Sequence, residues 1–253
     1  MRRYWVDEKL EVEIPFAIAG ELFKHIHIVC RRDVGDRFEL LSLGKLYLVE
    51  VKDIHKSVMV VDVLNQIEIP ALKKPHIHLA LSLPKIKTFE DVVEKSVELG
   101  VYSIYPFYSD FSFFKSKDRV QEKSNRLRKI VISACQQSAR SEEMIIHPTK
   151  SFKEILSLLS KKKQEGLVHS YAFYEGKAKS LSEHFAEHVA DDLNNKVSDI
   201  WIFIGSEGGF SVAEIAEFQK VQIPSLSIGE QVLRVETACV SIISVLKYQY
   251  KLF

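Results

Sequence analysis

The sequence has little cysteine, little glycine and almost no net charge, and each shortage narrows what the chain can be. Its three cysteines, Cys30, Cys135 and Cys239, lie far apart and form no C-x-x-C pair. Reduced thiols in a cytoplasmic protein, and no bound metal, are the expectation. No stretch approaches the run of about 18 apolar residues that a membrane-spanning helix needs. The N-terminal MRRYWVDEKLEVEIP lacks an apolar core flanked by a cleavage site, so no signal peptide is expected there. A net charge of +1 over 253 residues gives no global basic field that would announce a nucleic-acid partner. What is present is ordinary globular material: 46% hydrophobic and 27% charged residues, enough for one large domain or two.

The first part of the chain reads as β-rich. DRFELLSLG, KLYLVEVKDI and KSVMVVDVL are short, partly alternating stretches parted by Gly44 and by His55, Lys56 and Ser57. A small barrel or curled sheet is expected, since closure removes exposed strand edges. NQIEIPALKKPHI then links a domain of residues 1–70 to one of residues 71–253. In the second, IHLALSL is a continuous apolar run, as in a strand buried on both faces. KTFEDVVEKSVELG is helical, with Phe89, Val92, Val93 and Val97 on one face and Gly100 as C-cap. VYSIYPF, GLVHSYAFYEG and DLNNKVSDIWIFIG are further strands. QEKSNRLRKIVISACQQSAR is a helix with Leu127, Ile130, Val131, Ala134 and Cys135 at helical spacing. This alternation predicts an α/β domain with a mostly parallel sheet.

Charge is informative locally. Between residues 115 and 140 there are eight Lys or Arg (115, 117, 119, 123, 126, 128, 129 and 140) against Asp118 and Glu122. A solvated helix face accounts for such a block; a surface that tracks phosphates accounts for it equally. The aromatics just upstream, Tyr105, Phe107, Tyr108, Phe111, Phe113 and Phe114, are either base-stacking groups or core.

Although glycine is scarce, three of the ten fall within five positions in IFIGSEGGFSVAEI: Gly205, Gly208 and Gly209, around Glu207. A strand ending in glycines before a helix brings backbone N–H groups near a ligand. The order G-x-x-G-G is neither a Walker loop nor a dinucleotide fingerprint, and Glu207 would repel a polyphosphate. A neutral or cationic ligand suits the loop better. A tight turn closed by an S-x-x-E capping box at Ser211 and Glu214 explains those two residues but not the glycines. A second segment, SLSIGEQVLRVETACVSIISVLKYQY, has a short apolar stretch meeting Gly229, then a compact loop in which Arg234, Glu236 and Thr237 open a helix. Cys239, Ile242, Ile243, Leu246 and Tyr250 form that helix's apolar face.

IGSEGGFSVAEI followed by IGEQVLRVETA resembles the paired signatures I-G-P-E-G-G-[FL]-[ST] and L-G-x-x-[IV]-L-R-x-E-T-A of the RsmE-type methyltransferases. These belong to the SPOUT superfamily and methylate N3 of a uridine in small-subunit ribosomal RNA. LPKIKTFEDVVEKSVELGV, RKIVISACQQSAR and HIHIVCRRDVGDRFEL are similar to further segments of that family, so the likeness covers nearly the whole chain. It implies a PUA-like N-terminal β-barrel that binds RNA, a C-terminal α/β SPOUT domain with a deep trefoil knot, a homodimer, and S-adenosylmethionine as cofactor. By match, Gly205, Ser206, Glu207, Gly208 and Gly209 form one cofactor loop. Ile228, Gly229, Val232, Leu233, Arg234 and Thr237 form the other. On chemical grounds Arg234 and Glu236 are the candidate catalytic residues, Arg234 steadying charge on a uracil carbonyl oxygen and Glu236 a candidate base, with Glu207 a second and a mechanism without a protein base as the alternative.

Arg31, Lys123, Arg126, Arg128, Lys129 and Arg140 are the expected contacts to 16S ribosomal RNA or the small ribosomal subunit. The sequence departs from the family at Ser206, where proline is usual, at Glu230 and Gln231 in place of Pro-Arg, at Phe111 and Ile28 in place of arginines, and at Gln136 in place of Glu. Two other readings use the same residues: a SPOUT methyltransferase with another RNA target, and a non-catalytic RNA-binding assembly factor, against which the intact loops argue.

Overall fold

The computed structural model describes residues 1–115, 119–194 and 197–253; Lys117 and Asp118 of the basic block lie outside them. Two compact units are present. One comprises Met1–Ala71 with Ile132–Glu143, the other Leu72–Val131 with Met144–Phe253. The second unit thus begins where the linker was expected, but a segment from the middle of the chain belongs with the first.

In the first unit, β1 (Arg3–Val6), β2 (Phe16–Ala19), β3 (Arg37–Ser42), β4 (Lys45–His55) and β5 (Val58–Ile67) pair in the order β1-β3-β4-β5-β2. β1 runs parallel to β3 and the other pairs are antiparallel. Leu43 and Gly44 both take positive φ, +46° and +81°, as a two-residue hairpin turn requires. Register shifts after Leu48 and Val51 bend β4, so the sheet curls without β1 and β2 pairing. Its inner face alternates strictly along β5, where Met59, Val61 and Val63 are buried. These pack with Phe38, Leu40, Val49 and Val51. A short helix, α1 (Gly20–Phe23), runs into a π-helical stretch, Lys24–Val29, and adds Phe23 and Ile26 to that core.

The second unit is α/β. Its strands are β6 (His76–Ser82), β7 (Ser103–Tyr108), β8 (Ile145–Ile146), β9 (Lys150–Ser151), β10 (Val168–Phe173), β11 (Lys179–Ser180), β12 (Asp199–Ile204) and β13 (Ser225–Ser227). They form one sheet in the order β11-β13-β10-β12-β6-β7-β8, with β9 on β7. Every pair is parallel. Ile200, Trp201, Ile202 and Phe203 of β12 are at most 1% exposed, which is why that run shows no alternation. Its helices are α2 (Ile86–Glu98), α3 (Arg119–Glu122), α5 (Phe152–Glu165), α6 (Leu181–Asn194), α7 (Val212–Lys220) and α8 (Val235–Gln249), with the start of α4 (Ser124–Ser138), whose residues from Ile132 on belong to the first unit. α2 buries Phe89, Val92, Val93 and Val97, the face its spacing predicts, and packs against α8.

Candidate functional site

Parallel strands deliver their following loops to one edge of the sheet. β13, β10 and β12 are neighbours, with Leu226, Phe173 and Ile204 in register. The segments after them therefore emerge side by side: residues 228–234, residues 174–175 and residues 205–209. With the first turns of α8 they wall a cleft. Its surface is largely apolar, from Phe173, Leu226, Ile228, Leu233, Ala238 and Ile242. Among its described lining residues there is no Lys or Arg, and the carboxylate is Glu175.

The glycine loop is tight. The Gly209 N–H donates to the Ser206 carbonyl at 2.9 Å, and a Cβ on Gly205 would lie 2.7–2.9 Å from the Gly209 backbone, so no other residue fits there without displacing main chain. Gly208 has a different neighbour: its added Cβ would lie 2.8 Å from Phe111 Cβ. The glycine loop is fastened to the segment after β7 at several points. Ser206 Oγ donates to the Phe111 carbonyl (2.6 Å), Ser211 Oγ to Asp110 Oδ2 (2.5 Å), and the Asp110 N–H to Glu214 Oε1 (3.0 Å). Ser211 and Glu214 form the expected capping box of α7. Ser206 thus takes the place of the usual proline and acts as a tie.

Past Glu175, Ser206 and Gly209 the cleft opens into an outer lobe lined by Lys85, Thr88, Glu207, Arg234 and Glu236. Glu207 Oε1 accepts from the Lys85 N–H at 3.1 Å and lies 3.5 Å from Thr88 Oγ1. Its negative charge sits at the N-terminus of α2, where backbone N–H groups have no helical partner. Arg234 is the exposed N-cap residue of α8, and Glu236 in its first turn is half-buried. Among the described residues neither side chain makes a hydrogen bond or ion pair, and both line the lobe.

The expected cofactor residues divide on this geometry. Gly205, Ser206, Gly209, Ile228, Gly229, Val232 and Leu233 line the inner cleft, and Glu207 and Arg234 the outer lobe. Gly208 and Thr237 line neither; Gly208 makes room for Phe111. Glu175 was missed from sequence. Its signal, an acidic residue next to Gly176 after a buried run, has meaning only once β10 is known to lie between β12 and β13.

The expected RNA contacts also divide. Lys123, between α3 and α4, and Arg128 and Lys129 on α4 are exposed, and Arg31 is exposed with φ +53°. Arg126 is committed to Glu90 by two contacts, at 2.5 and 2.7 Å. Arg140 is a correction: it is buried, and its Nε donates to the Glu142 carbonyl at 2.8 Å. Of the aromatics, Tyr105 and Phe107 are core, while Phe111 and Phe113 are 52% and 56% exposed.

At the opposite edge of the sheet lies a second polar cluster. His78 Nδ1 is 2.8 Å from Ser103 Oγ and its Nε2 is 2.8 Å from Asp199 Oδ1. The types are those of a nucleophile triad, but Ser103 is fully buried and no substrate reaches it. The hydrogen bond from His78 holds the Asp199 carboxyl down to about 2. Nearby, His147 stacks on Tyr105 with ring centroids 3.8 Å apart, and burial pushes its imidazole down to about 4. Among the described residues no group of His, Cys, Asp and Glu is arranged to hold a metal ion, and no helix is long and apolar enough to cross a membrane.

The model of the RNA methyltransferase domain matches residues 72–247, which include the whole cleft. A ribosomal RNA small subunit methyltransferase E from Helicobacter pylori is 30% identical, with 95% of this chain and 98% of that protein aligned. The protein of the same name from Bacillus subtilis is 27% identical over 100% of this chain and 98% of its own. A crystal structure of a ribosomal RNA small subunit methyltransferase E from Neisseria gonorrhoeae bound to S-adenosyl methionine has a TM-score of 0.83 at 22% identity, covering 99% of this chain and 98% of that one; that likeness is one of fold. The chain belongs to the RNA methyltransferase family and, within it, to the ribosomal RNA small subunit methyltransferase E proteins.

Proposed function

We propose that this methyltransferase uses S-adenosylmethionine to methylate N3 of one uridine in 16S ribosomal RNA of the small subunit. The observation that carries the reading is a cleft between the loops of β10, β12 and β13 with no Lys or Arg among its described lining residues, opening onto a lobe that holds Arg234, whose side chain has no partner among the described residues. A phosphate-bearing cofactor would meet the Glu175 and Glu207 carboxylates there. An adenosine with a cationic sulfur meets apolar walls, close backbone and a carboxylate instead, so the residues present fit it. When bound, S-adenosylmethionine supplies an electrophilic methyl group.

The chain's own residues do the rest. The inner cleft excludes water and fixes position, which is most of what a transfer between two bound groups needs. A uracil N3 becomes nucleophilic as its proton leaves, and charge then grows on the adjoining carbonyl oxygens. The Arg234 guanidinium, permanently charged and forked, is suited to those oxygens. Glu236, whose carboxylate has no hydrogen-bond or ion-pair partner among the described residues, is the proton acceptor we favour over Glu207, whose carboxylate caps α2. Lys123, Arg128, Lys129 and Arg31 supply phosphate contacts.

The finer fold reading belongs to the same proposal. The curled sheet supports a PUA-like barrel. A knotted C-terminal segment is supported by the path from β13, on one side of β10, to α8 on α2, beyond β12. A homodimer is supported by α8 residues Val245 and Tyr248, which are 44% and 78% exposed. Mass-spectrometric mapping of ribosomal RNA from cells with and without the protein tests the activity. Disappearance of one 3-methyluridine from the small-subunit RNA is expected; an unchanged set of modified uridines would refute it.

A further inference from the structure

Phe111 and Phe113 stand half in water on a backbone that is firmly held. The Phe111 carbonyl accepts from Ser206 Oγ at 2.6 Å, and the Phe113 N–H donates to the Leu83 carbonyl at 2.9 Å. Between and before them, Ser82 Oγ is 2.5 Å from Ser109 Oγ and 3.0 Å from Ser112 Oγ. Asp110 is bonded through its N–H to Glu214 and through its carboxylate to Ser211. Mobile loops expose apolar side chains by default. This segment instead fixes its main chain while leaving two rings without the burial that would stabilise them. Neither ring lines the outer lobe, but each lies next to residues that do. Phe111 abuts Gly208 and anchors Ser206, and Lys85, which lines the lobe, lies 5.6 Å from the Phe113 ring centroid.

We propose that Phe111 and Phe113 form a stacking platform for the nucleobases that flank the target uridine in single-stranded RNA. The inference rests on the methyl-transfer reading above. N3 lies on the pairing edge of uracil, so the target base reaches the cleft only when unpaired and turned out of its stack. Its neighbours then lose a stacking partner. A ring face at the lip of the lobe replaces that partner whatever the neighbour's sequence, because every base has a π-face. The Lys85 ammonium beside Phe113 meets the intervening phosphate. A different fate for the rings, a contact with a second copy of the chain, is separated from this one by the test.

The test uses the full-length protein with Phe111→Ala, Phe113→Ala, the double variant, and Phe→Tyr at each position. Affinity is measured by fluorescence anisotropy for an RNA of about ten nucleotides, the span of a small single-strand site, with one central uridine. The same RNA with an abasic nucleotide on either side of that uridine is measured in parallel. Each alanine is expected to weaken binding of the intact RNA on the order of ten-fold. Tyrosine should retain affinity, cofactor binding by calorimetry should not change, and alanine should cost nothing further on the abasic RNA it pairs with. Undiminished RNA affinity in the double variant, with ribosomal RNA methylation intact, overturns the platform and leaves the methyl-transfer reading standing. So does an equal loss on intact and abasic RNA, or a changed oligomeric state, which assigns the rings to protein contacts. A wild-type protein that binds cofactor yet methylates no ribosomal RNA removes the methyl-transfer reading, and the platform falls with it.

Discussion

Arg234 is the residue on which the chemistry turns, and its surroundings make it testable. It is exposed at the start of α8 and among the described residues pairs with no carboxylate, so its removal leaves no buried charge uncompensated. Arg234→Ala should keep the wild-type melting temperature while single-turnover methyl transfer at saturating cofactor and RNA falls on the order of 100-fold or more. Arg234→Lys should lose most of the rate too, since the planar fork is lost with the charge kept. A stable Arg234→Ala protein with near-normal single-turnover rate would take this residue out of the mechanism. The glycines offer a sharper contrast. Gly205→Ala drives a Cβ into the Gly209 backbone, whereas Gly208→Ala meets Phe111. Calorimetry should therefore find cofactor affinity lost in Gly205→Ala and largely kept in Gly208→Ala; the reverse order would mean that the loop is folded differently.

At the scale of elements, the long periodic segments were legible and their neighbours in space were not. α2, α7 and α8 declare themselves through apolar spacing, caps and an S-x-x-E box, and β12 through an unbroken apolar run. α5 carries the same box at Ser151 and Glu154, but four lysines crowd its apolar stripe and mask its period. The two-residue strands β8, β9 and β11 are too short to leave a periodic trace. Glu175 and the cap made by Glu207 depend on strand order and on a contact 122 positions away in the chain, which no local pattern encodes. The His-rich edge of the sheet gives an element-scale prediction. His147 is held neutral by burial, with its folded value near 4 against 6.5 in a free histidine. The unfolded chain takes up that proton first, so stability is full above about pH 6.5 and declines as the pH falls toward 4. Asp199, depressed to about 2 from 3.8, gives up its contribution only lower, between about pH 4 and 2. His147→Phe keeps a ring on Tyr105 without the titration. Urea midpoints measured between pH 7 and 4.5 should fall less steeply in that variant than in the wild type, and identical slopes would show that His147 does not set the acid limb.

For the whole molecule, the near-zero net charge concealed a local basic surface, and the structure trims that surface further. Arg126 is spent on Glu90 and Arg140 on the Glu142 carbonyl, while Lys123, just before α4, and Lys129 on it are exposed. Replacing Lys123 and Lys129 by glutamine should weaken RNA binding and reduce its log–log salt slope by about 1.4–1.8, with cofactor affinity unchanged. A slope that does not move would return the helix to the role of a solvated face. Arg140→Gln should lower the melting temperature instead, since it leaves the Glu142 carbonyl only the weak Cys135 thiol as donor, at 3.6 Å.

The strands of the second sheet carry their two kinds of polar chemistry at opposite ends. Asp199 opens β12 and Gly205 follows its close, which at strand rise sets them about 20 Å apart. Across that span, even at an effective dielectric of about 20, a unit charge contributes under about 1 kcal/mol, and dissolved ions reduce this further. Protonating the histidine edge therefore shifts any acid in the cleft by less than about one pKa unit. Acid sensitivity of the folded state and pH dependence of the reaction are thus two separate instruments. A pH–rate profile taken above about pH 6.5 reads the groups around Arg234 and the substrate imide alone, and a titration of stability below it reads the far edge alone.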